Sequence, residues 1–301
     1  MKNPKLSIVI VSYNTKDLLS DCLVSLDKVK DEISFEIIVV DNASEDSSSA
    51  MVNNNFPQVF LVQNDKNLGF AAANNKTRGK CRGEFVLFLN SDTIIPPNTL
   101  KKTVDYLKQN PNVGSLTCKL VLPSGKMDLD ARRSFITPWI GLTHLFLKLD
   151  RIFPTSKIFS RYWYGYISPD TTHEVDTVQG AYHLTRKRVM DEVGWFDESY
   201  FLDGEDIDLC WRIHKKGWKI IYYPEVSIIH IKGASKGKEG HLKKRVSLKE
   251  KIFFRTQGVN SMEIFYRKRL WSEYPFILNV LVILGIRLIK ILRMLKTIVL
   301  G

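Results

Sequence analysis

Glu84-Phe85-Val86-Leu87-Phe88-Leu89-Asn90-Ser91-Asp92 is an apolar run that ends abruptly in three polar residues. No polar residue interrupts 85–89, so the alternation of a half-exposed strand is missing. Such a run suits a strand covered on both faces, as in parallel sheets. The pattern recurs three times. Leu6–Val11 runs into Ser12-Tyr13-Asn14, Phe35–Val40 into Asp41-Asn42-Ala43-Ser44, and Val59–Val62 into Gln63-Asn64. Helix-length segments at 15–28, 45–54, 68–80 and 97–109 separate or follow these runs. Short buried strands alternating with helices predict an α/β fold, a mostly parallel sheet with helices on both faces. Polar residues gather past the C-terminal ends of the strands, where open α/β sheets bind ligands. The first half therefore reads as a nucleotide-binding layer.

Beyond Leu122 the alternation fades. Residues 135–168 are rich in aromatics without a clear period, and read as an excursion of helix and loop. Order resumes at Val175–Leu184, followed by a short helix to about Val193. A second helix is expected near Gly204–Lys216, stopped by Gly217. Two β-rich runs follow, Trp218–Tyr223 and Val226–Ile231.

The charge is unevenly placed. The chain of 301 residues has a net charge of +12, and all of that surplus lies from Lys232 onward, with 16 Lys and Arg against four Glu. The four cysteines are far apart and form no C-x-x-C pair, which argues against a zinc site or a disulfide framework. No signal-peptide pattern opens the chain, so a cytoplasmic location is expected.

Taken singly, the polar clusters have two readings each. Asn90-Ser91-Asp92 suits a divalent cation bridging a diphosphate, and equally an Asx-type turn before the next helix. Asp41 could bind a nucleotide or help cap a helix. Asn67-Leu68-Gly69-Phe70-Ala71-Ala72-Ala73-Asn74 places small residues at a helix start, where phosphate could approach or helix and sheet could pack tightly. Asp203-Gly204-Glu205-Asp206-Ile207-Asp208 puts four acids at a helix start, where the dipole favours ionised carboxylates. Glu205 and Asp206 are about 100° apart on that helix, so only one is expected to face the crevice. His230 ends a strand and reads as structural or as a ligand.

The ordered series resembles the bacterial family 2 glycosyltransferases of the GT-A fold. The matching pieces are S-I-V-I-V-S-Y-N at 7–14, V-D-N-A-S at 40–44, N-x-G-F-A-x-A-N at 67–74 and F-L-N-S-D at 88–92. They continue with Q-G-A at 179–181, G-W-F-D-E at 194–198, G-E-D-I-D-L-C-W-R at 204–212 and H-I-K-G-A-S at 230–235. The N-x-G-F-A and L-N-S-D forms resemble the rhamnosyltransferase-like branch. The combination is far more specific than any one motif.

The resemblance implies an inverting, metal-dependent sugar transfer with Asp206 as base. It implies Asp92 as a metal ligand, Asn90 in place of the first Asp of a D-x-D motif, and His230 completing the site for Mn²⁺ or Mg²⁺. Ser12, Asn14, Asp41, Asn67, Gly69, Asn74 and Ser91 fall at donor-binding positions. Arg132, Arg133, Gly180, Ala181 and Glu205 fall at acceptor or diphosphate positions. The implied partners are a nucleotide-diphosphate sugar (deoxythymidine-diphosphate rhamnose first, a UDP-sugar next) and a polyprenyl-diphosphate-linked glycan. On this reading residues 1–235 form the GT-A domain. Its parts are a nucleotide-sugar half (1–122), a variable excursion (123–174) and an acceptor half (175–235). Residues 236–301 form a membrane-associating tail.

That tail combines basic clusters at 241–269 with the apolar run Phe276–Ile286, which is too short to cross a bilayer. Continuing to Leu300 would bury Arg287, Lys290, Arg293 and Lys296. A basic amphipathic helix on an anionic membrane surface is expected, with Trp271 and Tyr274 at the headgroups. Packing on its own domain or on a partner subunit is the alternative. A nucleotidyltransferase would carry a Gly-rich, basic phosphate loop after the first strand, where Ser12-Tyr13-Asn14-Thr15 stands instead. A nucleic-acid-binding module would explain the basic tail but not the crevice acids, so no nucleic-acid partner is expected.

Overall fold

A computed structural model describes residues 3–232 and 247–300. The first half follows the predicted alternation. It runs β1 (Leu6–Ser12), α1 (Lys16–Asp27), β2 (Phe35–Asp41), α2 (Ser48–Asn55), β3 (Phe60–Gln63), α3 (Phe70–Asn75), β4 (Phe85–Asn90), β5 (Thr93–Ile94), α4 (Thr99–Gln109) and β6 (Val113–Val121). The excursion contains a 3-10 turn at Leu129–Ala131 and the short helices α5 (Pro138–Ile140) and α6 (Leu149–Ile152), with a π-helical turn at Gly141–Phe146 between them. Then come β7 (His173–Glu174), β8 (Tyr182–Arg186), α7 (Lys187–Val193), α8 (Glu205–Lys215), β9 (Lys219–His230), α9 (Leu248–Phe265) and α10 (Phe276–Leu300).

One sheet organises the molecule, in the order β3-β2-β1-β4-β8-β6-β9-β5, with β7 on the side of β9. β1, β2, β3 and β4 are parallel; the inner residues of β1, β2 and β4 are buried, whereas β3 at the sheet edge is half-buried to exposed. β8 is antiparallel to both neighbours. It separates the parallel strands β1 to β4 from a mixed part in which β6 and β9 are parallel and β5 and β7 antiparallel to β9.

β6 is a strand the apolar-run criterion misses. Its sequence V-G-S-L-T-C-K-L-V carries Ser115 and Thr117, both fully buried. The Ser115 hydroxyl donates to the Leu184 carbonyl at 3.0 Å, which offsets the burial of a polar group. The two runs expected at 218–231 are instead one strand, β9, whose register against β6 slips between Tyr223 and Ser227. The helix expected over 68–80 is only Phe70–Asn75. All four cysteines are free and buried, and burial raises every thiol, Cys81 to about 11 and Cys22 and Cys210 to about 12.

The tail is tied to the domain. Asp208 on α8 is fully buried, and accepts from Arg212 Nε at 2.8 Å and from Arg269 Nε at 2.7 Å. Lys268 reaches Asp197 at 2.7 Å. Part of the R-K-R cluster at 267–269 therefore faces inward. Trp271 and Tyr274 are half-buried against the core, and Tyr274 stacks on Tyr266. The cluster at 241–245 and the 235/236 boundary lie outside the described residues.

Candidate active site

The end of β4 meets the end of β9 through the two-residue strand β5. Thr93 pairs with His230, and the Ile231 amide donates to the Asp92 carbonyl at 2.9 Å. This pairing places His230 Nε2 3.5 Å from Asp92 Oδ1. The other ring nitrogen, Nδ1, lies 3.0 Å from Asp128 Oδ2. Lys232 Nζ then bridges Asp128 at 2.5 Å and Asp130 at 2.6 Å.

Burial pushes the His230 pKa down, but the hydrogen bonds and charges of Asp128 and Asp92 outweigh it and raise the value to about 9. Burial likewise raises Asp128, and its bonds to His230 and Lys232 overcome this, bringing it to about 2. A metal ligand must give up its proton, so loading a cation at His230 would release one. Asp128 stands where a carboxylate orients a ligating imidazole from behind. The oxygen–nitrogen donor set of Asp92 and His230 fits Mn²⁺ or Mg²⁺, with further positions left to phosphate oxygens. Among the described residues no group of three or more His, Cys, Asp or Glu side chains stands close enough to hold an ion by itself.

Asp206 occupies the first turn of α8. Its Oδ2 accepts from Arg133 Nη2 at 2.7 Å and its Oδ1 from the Ile207 amide at 2.8 Å. The ion pair is buried, and although burial opposes it, Asp206 keeps the Arg133 guanidinium firmly protonated. Two of the roughly four lone-pair directions of a carboxylate are thus taken, which leaves room for a hydroxyl. Arg133 is aimed by an antiparallel bridge to Thr177.

Arg132, one residue earlier in an extended segment, points to the opposite side. It donates to the carbonyls of Ser168 and Ile167 and lies over the Tyr222 ring. Of the expected arginine pair, only Arg133 lines the cavity. That cavity has a volume of about 670 Å³. Asn90, Asp130, Arg133, Gln179, Gly180, Glu205 and Asp206 border it, so both acids of the E-D pair face the crevice and the expectation of one is corrected. The cavity wraps around the start of α8, which exposes more than one helix face to it. Ala181 is fully buried, and its carbonyl accepts from the Asn90 amide at 3.4 Å.

The donor-side residues are mostly occupied with each other. Ser12, Thr15 and Ser91 form a buried hydroxyl chain with 3.0 Å links, and Ser12 is sealed from solvent. Asn67 Oδ1 accepts from Asn42 Nδ2 at 2.8 Å and from the Gly69 amide at 2.9 Å. Asn74 is buried and donates to the Phe70 carbonyl at 2.8 Å. Gly69 has φ +80°, and a Cβ there would lie 2.3 Å from the Phe201 carbonyl oxygen. Close packing by Phe201, rather than an approaching phosphate, therefore requires this glycine. Asn14 Oδ1 accepts from the Glu45 amide at 2.8 Å. Asp41 accepts from Ser49 through Oδ2, while its buried Oδ1 has no partner. An unmatched buried carboxylate oxygen at a strand end is a ready acceptor for a ligand hydroxyl or N–H.

The sequence matches the model of the glycosyltransferase-like family 2 over residues 4–250. The chain belongs to this family. Among family 2 relatives, the N-acetylglucosaminyl-diphospho-decaprenol L-rhamnosyltransferase of Mycobacterium tuberculosis is 27% identical over 245 residues, covering 78% of each chain. The O-antigen biosynthesis protein RfbC of Myxococcus xanthus is 27% identical over 236 residues, 77% of this chain and 18% of that protein. The GT-A fold is shared with a mannosyltransferase of Pyrobaculum calidifontis solved with GDP-Man and Mn²⁺. The TM-score is 0.56 at 18% identity, over 90% of this chain and 65% of that one. GalNAc-T7, solved with UDP, GalNAc and Mn²⁺, gives 0.58 at 16% identity, over 91% and 52%. This family 2 chain thus spans less than two-thirds of the length of these two structures.

Two polar groups at the site escape the motif reading, Asp128 and Asp130, while Lys232 stands in the H-I-K-G-A-S motif without a role assigned to it. The first two stand in a literal D-x-D spacing, Asp128-Leu129-Asp130, which is a usable signal. Gln179, within the Q-G-A motif, borders the cavity with a buried Oε1 that has no partner.

Proposed function

We propose that this family 2 chain is an inverting glycosyltransferase that moves rhamnose from deoxythymidine-diphosphate rhamnose to a glycan on polyprenyl diphosphate. A UDP-sugar is the second choice of donor. The observation that carries the reading is the placement of Asp206, ion-paired and oriented by Arg133, on a cavity that is acidic at one end and apolar at the other. The similarity to the mycobacterial rhamnosyltransferase supports the donor and acceptor classes.

In the transfer, the acceptor hydroxyl gives its proton to an Asp206 oxygen while its own oxygen bonds to the anomeric carbon. The bond from that carbon to the diphosphate oxygen breaks as the new one forms, so the configuration inverts. Arg133 holds the carboxylate still through this step. General-base help of this kind supplies ~10²–10⁴ in rate. A divalent ion, when bound, neutralises the charge growing on the leaving diphosphate. Asp92 and His230 would hold it, with Asn90 nearby as a neutral oxygen donor. Asp41 would accept from the nucleoside.

The reading also puts the chain at the cytoplasmic face of an anionic membrane. No helix among the described residues is long and apolar enough to cross one. The outward face of α10 instead presents Phe276, Ile277, Leu284, Leu288 and Ile291 beside Lys290 and Lys296. Apolar side chains next to lysines suit an interfacial helix.

A panel of sugar nucleotides offered with Mn²⁺ or Mg²⁺ and a polyprenyl-diphosphate glycan tests the chemistry. Nucleoside diphosphate release from the rhamnose donor is expected, and Asp206→Asn should abolish it. Full activity of that variant, or turnover of none of the donors, would overturn the reading.

A further inference from the structure

Beyond Asp206 the cavity continues into a part that sugar transfer leaves unexplained. One wall of this part is the stretch from Ile136 to Phe146, and the other is α10. Leu278, Leu281, Val282, Gly285, Ile286 and Ile289 of α10 line it on one helix face, recurring every three or four positions, and Arg293 follows them one turn on as its one charged member. The walls meet where Phe146 lies over Gly285; a Cβ at Gly285 would be 3.2 Å from Phe146 Cζ. Away from that contact they stay apart, leaving Leu142 45% and Leu281 60% exposed. A contiguous apolar surface kept open beside charged groups marks a binding site rather than a core.

We propose that this passage holds the first isoprene units of the acceptor's lipid chain, threading it from the bilayer to the catalytic carboxylate. The proposal rests on the polyprenyl-linked acceptor reading and adds where the chain is held. Continuity favours this occupant. The same cavity is bordered by Asp206 at its polar end and by the α10 stripe at its apolar end. The outward apolar residues of α10 carry the surface on from Leu281 to Leu284, Leu288 and Leu295. A chain leaving the bilayer along this helix would stay in contact with apolar side chains. A phospholipid acyl chain is the competing occupant, but nothing about it would bring a sugar hydroxyl to Asp206.

The test uses the full chain in detergent micelles, so that membrane recruitment does not enter the readout. The acceptors carry one glycan diphosphate on citronellyl, farnesyl or undecaprenyl chains. The acceptor KM should fall on the order of tenfold or more with chain length, because each buried methylene adds favourable transfer free energy. Leu142→Trp and Val282→Trp, which fill the passage, should erase that dependence while leaving the donor KM unchanged. A KM independent of chain length in the wild type, or fillers that impair short and long acceptors equally, would overturn the proposal.

If no polyprenyl acceptor is used although the donor is still hydrolysed, the acceptor reading itself falls. The passage is then judged by photo-labelling alone. A benzophenone-bearing farnesyl diphosphate should label 136–146 and 278–289, more strongly than a benzophenone phosphatidylglycerol does. Equal labelling by both probes, or labelling elsewhere, rejects an isoprenoid site. Circular dichroism of each variant confirms that it is folded.

Discussion

The two parts of the sheet, on either side of β8, treat polar residues in opposite ways. At the ends of β1, β2 and β4, neutral groups satisfy one another: Ser12 with Thr15 and Ser91, and Asn42 with Asn67. Around β9 and α8, charged groups are buried in pairs: Arg133 with Asp206, and His230 with Asp92 and Asp128. Neutral networks hold loops in shape at little cost. Buried charge is expensive unless compensated, and a pair at the edge of a cavity is poised to exchange its partner for a ligand. On the function proposed above, the first region shapes the donor side around Asp41 and the second carries the chemistry.

Substitutions on the two sides should differ accordingly. Asp206→Asn should lower kcat by ~10²–10⁴ with donor affinity retained, read by single-turnover transfer and nucleotide titration. Arg133→Met should destabilise the fold by about 3–5 kcal/mol, because it leaves Asp206 as an uncompensated buried charge; urea unfolding measures this. Asp128→Asn removes the carboxylate behind His230 and should weaken Mn²⁺ binding by ~10–100-fold in calorimetry, with the fold intact. On the neutral side, Asn42→Ala should cost only about 1–3 kcal/mol in urea unfolding while leaving kcat close to wild type. A large kcat loss there would erase the contrast between the two regions.

A smaller effect concerns the seam between domain and tail. Asp197 is raised by burial but lowered further by Lys268 and Ser199, to about 2 against an ordinary 3.8. The native state thus favours the charged form. Its contribution is fully present above the unfolded value near 4 and is lost as pH falls through about 2. Acid unfolding of Asp197→Asn should accordingly show a shallower pH dependence between those values than wild type.

The most legible elements were those with one pattern and no competing choice. The runs ending at Val11, Val40 and Leu89 became β1, β2 and β4 because each is buried on both faces. β6 was illegible because Ser115 and Thr117 look polar, although their surroundings satisfy or seal them. At the site, Asp206 and Arg133 were named by motif position, but their contact depends on a bridge from Arg133 to Thr177 that no local pattern reveals. The arginine pair was split because extended backbone sends neighbouring side chains to opposite sides. The tail's basic residues were read as one surface, yet Arg269 turns inward to a buried aspartate.

By itself the sequence determined the strand and helix alternation, the crowding of polar residues at strand ends and the family to which the chain belongs. These follow from local burial patterns and from ordered motifs, which need no knowledge of distant contacts. Only the tertiary structure decided which polar residues are structural and which face a cavity. It brought His230 to Asp92 through the β5–β9 pairing, and set α10 against the excursion to shape an apolar passage. The reason is physical: a side chain's role depends on which partners satisfy it, and here those partners come from remote parts of the chain.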